Sequence, residues 1–221
     1  MPTLKNAINR YKDDFKQKVP EHIQQTMLDA TDRLRTKNIS QQALKIGDHI
    51  PTFTLLNATN QPIHLDEHLQ KNNYIVLNFY RGSWCPYCNL ELKQLQRIQG
   101  ELRVLHAELL ALSPEKPDNS LNLKEKENLK FEVLCDKNNA VARKFGLVYT
   151  IDEELLPVYE DFGIDILESN KNGTFDLPLP ATYVVNKNFE IIYTFVDEDH
   201  TNRCEPESIL HAIKEDIKNN H

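Results

Sequence analysis

The 221-residue chain has no apolar run approaching membrane-spanning length, so a transmembrane helix is not expected. It has no excess of positive charge. Its 26 Lys and Arg face 33 Asp and Glu, a formal net charge of −7, which argues against nucleic acid as a partner. Its first residues, Met1-Pro2-Thr3-Leu4-Lys5-Asn6, lack an apolar signal core, so the expected compartment is a reducing cytoplasm. Cysteine is sparse, at 85, 88, 135 and 204 only. No second Cys-x-x-Cys and no His-x₃₋₅-His pair is present, which leaves a four-ligand zinc site incomplete. The 8 histidines show no ligand spacing, and no metal is expected. Glycine is limited to 6 residues, and no repeat or low-complexity segment is visible. The composition, 40% apolar and 27% charged, is that of an ordinary globular chain long enough for one sizeable domain with an appendage.

The chain is organised around residues 74–92. Tyr74-Ile75-Val76-Leu77-Asn78-Phe79-Tyr80 reads as a buried strand that breaks at Gly82. Leu92, Leu95, Ile98, Leu102 and Leu105 then recur at three- and four-residue spacing, which predicts a helix. At the junction stands Trp84-Cys85-Pro86-Tyr87-Cys88. Pro86 suits the first turn of a helix, where no backbone donor is needed. Free N–H groups and the positive end of the helix dipole favour thiolate there, and thiolate is the reactive form of cysteine. Arg81 is near enough in sequence to add positive field, or it is a surface charge. Two intervening residues allow a small Cys85–Cys88 disulfide ring, in which one sulfur reacts and the other resolves it. Trp84 either shields the pair or packs in the core. Cys135, at a strand end, reads as a small buried hydrophobe. Cys204 lies in a polar turn.

Residues 1–45 form a helical extension and residues 46–221 the main domain. Leu4, Ile8, Tyr11 and Phe15 make one apolar stripe; Val19-Pro20 interrupts it; Ile23, Met27, Ala30 and Leu34 make another. Packing on the main domain is favoured for this pair over a dimerisation element or a lid. A hairpin (53–65), a short helix (66–70), core strands at 74–80, 108–113 and 131–135, and helices between them predict an α/β sheet with parallel crossovers. Asp136 caps a helix that ends at Gly146. The acidic stretch 153–162 reads as helical, with a solvated face. Residues 177–186 and 189–196 predict an antiparallel edge hairpin, and a last helix runs from 206 to about 218.

The order of elements resembles a thioredoxin-like fold: a central mixed sheet flanked by helices, here with the N-terminal helical extension. Phe79-Tyr80, Trp84-Cys85-Pro86-Tyr87-Cys88, Ser113-Pro114, Asp136 with Phe145-Gly146, and Pro180-Ala181-Thr182-Tyr183-Val184-Val185 resemble the alkyl hydroperoxide reductase/thiol-specific antioxidant (redoxin) family. Within it the chain is similar to peroxiredoxin-like proteins with a thioredoxin-type Cys-x-x-Cys. The resemblance covers residues 45–221. Laid on the peroxiredoxin pattern, the peroxidatic cysteine falls on Cys88, with Glu91 as the acidic residue three positions on. The pattern's threonine falls on Cys85 and its proline on Arg81. Where peroxiredoxins use an arginine near the edge strand, this chain has Pro180, which matches the thioredoxin proline and carries the expectation of a cis bond after Leu179.

The resemblance implies a thiol-dependent antioxidant oxidoreductase with no cofactor beyond the Cys85–Cys88 redox-active disulfide. Arg81, Trp84, Pro86 and Pro180 support it. Two enzymatic readings stand. In a thiol peroxidase, Cys88 forms a sulfenic acid and Cys85 resolves it. In a thiol–disulfide oxidoreductase, Cys85 attacks and Cys88 releases the mixed disulfide. A third reading is a redox sensor with the extension as its output. The implied partners are a hydroperoxide or disulfide substrate, a thioredoxin-like or glutathione-type reductant, and a second copy in a homodimer.

Overall fold

The computed structural model describes residues 3–219; the outermost residues of the two expected units, 1–2 and 220–221, lie outside it. The extension folds as two helices. Thr3 Oγ1 accepts from the Asn6 N–H at 3.2 Å and caps α1, Leu4–Lys18. Val19 ends α1 in an extended conformation ahead of Pro20, as expected for a residue before proline. α2 is Glu21–Thr36 and α3 is one turn, Ile39–Gln42. A hairpin follows, β1 (Thr54–Asn57) and β2 (Pro62–His64), then α4 (Leu65–Lys71) and β3 (Tyr74–Phe79). Next come α5 (Pro86–Arg97), α6 (Gln99–Val104), β4 (Ala107–Ser113), α7 (Pro117–Lys126), β5 (Glu132–Cys135) and α8 (Ala140–Lys144). The chain continues through β6 (Val148–Thr150), α9 (Leu156–Asp161), α10 (Ile166–Asn170) and β7 (Asp176–Pro178). It finishes with β8 (Ala181–Asn186), β9 (Ile191–Val196) and α11 (Pro206–Asn219).

Seven strands form one mixed sheet in the order β2-β1-β5-β4-β3-β8-β9. β3 runs parallel to β4 and antiparallel to β8, and β4 runs parallel to β5, so the expected crossovers and edge hairpin are present. Every β3 residue is buried, because both sheet faces are covered. Ile75, Leu77 and Phe79 join one core; Tyr74, Val76 and Tyr80 join the other.

The extension straddles the sheet. Leu4 and Ile8 of α1 are buried in the same core as α5, each contributing about 1.5–3 kcal/mol by area alone. Ile23, Met27 and Leu34 of α2 pack against the opposite core. Glu205 fixes the start of α1, accepting from the Leu4 and Lys5 N–H groups at 3.2 and 2.6 Å. Gly146 lies where the chain after α3 meets the domain. Its φ is +73°, and a Cβ there would meet the Gln42 carbonyl at 2.9 Å. Among the described residues, no helix is long and apolar enough to cross a membrane.

Three expectations are corrected. The helix expected across 92–105 is broken at Ile98, whose ψ of 2° leaves the helical range, with the weak helix former Gly100 just beyond. The strand expected over 177–186 is split. Pro178 and Pro180 lack the N–H a ladder needs, so β7 pairs with β6 in a separate ribbon and β8 begins at Ala181. The bond between Leu179 and Pro180 is trans, as are all peptide bonds among the described residues.

A candidate redox centre at the start of α5

Cys85 is the N-cap of α5 and Pro86 its first residue, which puts Cys88 in the first turn, as the spacing predicts. Gly82 is required here by close approach: a Cβ would lie 2.3 Å from Trp84 Nε1. Both cysteines are free thiols. Cys85 is fully buried, as is Cys88. The two share a core with Leu4 and Ile8 of α1 and with Tyr87, and Tyr11 of α1 packs edge-on against Tyr87 at 5.1 Å. Part of the cover therefore comes from α1.

The surroundings of the sulfurs are polar. Arg81, read as either a field source or a surface charge, is only 4% exposed and places Nη2 3.1 Å from Cys85 Sγ. Its Nη1 donates to Tyr159 Oη at 3.0 Å, and its guanidinium lies over the Trp84 ring, 5.1 Å from the centroid. Trp84 also leans on Tyr159 at 5.8 Å, so it shields the centre and packs at once.

A second cation sits on the other sulfur. Arg203 donates through Nη2 to Cys88 Sγ at 3.4 Å and through Nη1 to Glu91 Oε2 at 2.5 Å, with both side chains of the pair at most 2% exposed. Sequence reasoning missed Arg203 and expected no arginine near the edge strand. The loop after β9 supplies one. Asp197 Oδ1 accepts from Asp199 N–H at 2.8 Å, and Asp199 Oδ1 accepts from Thr201 N–H at 3.0 Å. These turns set the His200 carbonyl to accept from Arg203 Nε at 2.9 Å. Only the family's arginine, sought beyond the edge strand, would have pointed here.

The two thiols share one negative charge unequally. Burial opposes a charge on Cys85, but the Cys88 thiol hydrogen bond and the Arg81 and Arg203 guanidiniums outweigh it and hold Cys85 well below the ordinary thiol range. Burial and the neighbouring Cys85 push Cys88 well above that range. After burial, the first cause on each side is the hydrogen bond between the two sulfurs, which lowers Cys85 and raises Cys88; Arg81, 3.1 Å from Cys85 Sγ, adds to the bias.

Pro180 is buried, and β8 begins beside it with Ala181 opposite Phe79, so it neighbours the end of β3 that leads to Arg81. Cys204, in the turn before α11, is buried, within 3.3 Å of Tyr193 Oη. Cys135 is a buried strand-end residue, as expected.

Glu115, not anticipated from sequence, holds the redox loop. Its two oxygens accept from Ser83 N–H at 2.7 Å and Ser83 Oγ–H at 2.8 Å. Burial pushes its pKa up to about 7 in spite of those bonds. The folded state therefore binds more protons than the unfolded chain between the ordinary carboxylate range and about pH 7. Stability should fall as pH rises through that window, by roughly 3 kcal/mol, and then level off. A Glu115→Gln variant, which mimics the protonated acid, should lose most of that slope. Melting temperatures at pH 5 and pH 8 check this, with on the order of 5–10 °C separating the two proteins' pH responses.

The sequence profile of the AhpC/TSA family matches residues 46–194. The chain is 32% identical over 104 residues to a putative peroxiredoxin bcp of Haemophilus influenzae, covering 47% of this chain and 66% of that protein. It is 28% identical over 104 residues to peroxiredoxin Bcp of Escherichia coli K12, 47% and 65%. It is 25% identical over 109 residues to the thiol-disulfide oxidoreductase ResA of Bacillus thuringiensis, 49% and 61%. The matches span 61–66% of these relatives' lengths, less than two thirds. Among solved structures, peroxidoxin BcpB of Mycobacterium tuberculosis superposes with a TM-score of 0.61 at 18% identity, covering 78% of this chain and 97% of that one. A cysteine-to-serine mutant of Xylella fastidiosa PrxQ superposes at 0.62 with 13% identity, covering 79% and 98%. These superpositions show the thioredoxin-like fold of peroxiredoxins. With about two thirds of its length inside the matched profile, this chain belongs to the AhpC/TSA family.

Proposed function

We propose that the protein is a thiol-dependent antioxidant oxidoreductase that reduces hydroperoxides through a Cys85/Cys88 dithiol–disulfide cycle. The observation that carries this reading is a buried thiol pair with a guanidinium on each sulfur, at 3.1 Å from Cys85 and 3.4 Å from Cys88. A small peroxide needs only a narrow approach to such a pair, whereas a protein disulfide needs the cover removed. Cys85 is the resting thiolate. It attacks one peroxide oxygen, the O–O bond breaks, and the electron pair leaves with the second oxygen, which takes the Cys88 proton and departs as water or alcohol. Cys88 then attacks the Cys85 sulfenic acid, and the hydroxyl leaves as water once protonated from solvent. An external dithiol, of thioredoxin-like or glutathione type, returns both electrons. A reducing compartment such as the cytoplasm suits this cycle.

Thiol–disulfide exchange is the second reading, favoured by a thiolate at the N-cap of α5 with Pro86 behind it. Steady-state assays with dithiothreitol as reductant separate the readings. The peroxidase reading expects many peroxides consumed per chain and slow reduction of insulin disulfides; the reverse order of rates supports exchange. Consumption that stops after one equivalent refutes turnover altogether.

A further inference from the structure

We propose that a second site, at the carboxyl ends of β4 and β5, binds a small phosphate ester. A cavity of about 430 Å³ lies there, between the start of β1, the β4–α7 loop and the end of α10. Parallel strands of an α/β sheet hold ligands outside this end as a rule. Cys85 and Cys88 do not line the cavity, so binding there goes beyond the peroxidase reading and does not depend on it.

The wall is cationic. Lys116, Lys137 and Lys171 line it. Lys116 and Lys171 share one carboxylate, Glu168, at 2.6 and 3.6 Å, and Lys137 has no ion-pair partner among the described residues. α7 starts on the same wall, at Lys116 and Pro117, and no side chain caps it, so the positive end of a ten-residue helix adds to the lysines. The independent pointer to a ligand is Asn170, at the end of α10. It lines the cavity, is only 4% exposed, and neither its amide nitrogen nor its oxygen has a hydrogen-bond partner. A buried amide in that state is costly, and a ligand oxygen that accepts from Nδ2 relieves the cost.

Three ammonium groups act as point charges, and with no arginine fork among them they suit phosphate better than a planar carboxylate. The rest of the wall selects an ester over the free ion. Leu55, Leu56, Pro114 and Pro117 line it, so an apolar group carried on the phosphate leaves water by covering them. The one carboxyl on the wall, Glu115, accepts from Ser83 and Asn119, and its pKa of about 7 leaves it near half protonated at neutrality. Through Glu115 the cavity adjoins the redox loop.

The test titrates the full chain with phenyl phosphate by calorimetry, in low-salt Tris buffer near neutral pH. The heat should saturate at one ligand per chain with a Kd below about 1 mM, and the melting temperature should rise with ligand concentration. Inorganic phosphate should bind about fivefold more weakly, and phenol should not saturate. Lys137 is exposed, so Lys137→Glu leaves the fold intact and should weaken binding about tenfold. Asn170→Ala should weaken it about fivefold. Lys187→Glu makes the same charge change in the exposed turn between β8 and β9, at the opposite end of the sheet, and should leave the Kd within about twofold. Absence of saturable binding by both readouts overturns the proposal. So does phenol or inorganic phosphate binding as tightly as phenyl phosphate, or equal weakening by Lys137→Glu and Lys187→Glu.

Discussion

Cys85→Ser is expected to lower kcat/KM for peroxide by roughly a thousandfold or more, because a serine hydroxyl at this position supplies no thiolate. Arg81 then has no anion to face across the 3.1 Å contact it makes with Cys85 Sγ. Cys88→Ser is expected to behave differently. Its Cys85 keeps Arg81 and the helix start, so one peroxide per chain should react and leave a sulfenic acid. Turnover should then stop for want of a resolving thiol. Intact-mass measurement after a stoichiometric peroxide pulse reads both results: one added oxygen in Cys88→Ser and none in Cys85→Ser. The reverse pattern would assign attack to Cys88, as the peroxiredoxin register implies. Arg203 and Glu91 would then be the groups that activate it. The two outcomes are separated by which sulfur gains oxygen, so overall loss of activity in both variants does not blur them.

What could be read from sequence was local. The Cys-x-x-Cys, Pro86 at the first helical position and the strand before it lie within a few residues of one another, and their meaning depends on strand and helix periodicity alone. The rest of the site is assembled over long separations. Arg203 reaches Cys88 across 115 positions, Tyr159 reaches Arg81 across 78, and Glu115 reaches Ser83 across 32. Nothing periodic marks these residues as partners; turns and loops aim Arg203 and Glu115, and α9 aims Tyr159. The burial of Cys85 was hidden for a related reason. Tyr11 belongs to α1, in the part of the chain that the family resemblance does not cover, and its contact with Tyr87 exists only once α1 docks. Pro180 shows the opposite error. Its likeness to the thioredoxin proline carried an expectation about the peptide bond that the backbone does not adopt.

The Glu91–Arg203 pair should show which groups serve stability and which serve the thiols. Glu91→Ala strands a guanidinium that is almost wholly buried and that does not shed its proton. The expected cost is about 3–5 kcal/mol, or roughly 6–20 °C in melting temperature for a chain of this size. Arg203→Met should cost less, because Glu91 has an escape that arginine lacks. Burial already raises the Glu91 pKa, and without Arg203 the carboxyl can take up a proton and become neutral. The sign of the pH response follows. With its folded pKa above the unfolded value, the Arg203→Met protein should gain stability as pH falls toward the ordinary carboxylate range, and lose it as pH rises. A double variant, Glu91→Leu with Arg203→Met, removes both charges and should recover most of the stability lost in Glu91→Ala. It should not recover the chemistry. Arg203 supplies part of the field that holds Cys85 low, so the double variant should react with peroxide more slowly at pH 7 and regain rate as pH rises toward the ordinary thiol range. Thermal melts and a pH–rate profile on the same three proteins measure both effects. If the double variant reacts as fast as the parent at pH 7, Arg203 acts on packing alone and Arg81 must be sufficient to form the thiolate.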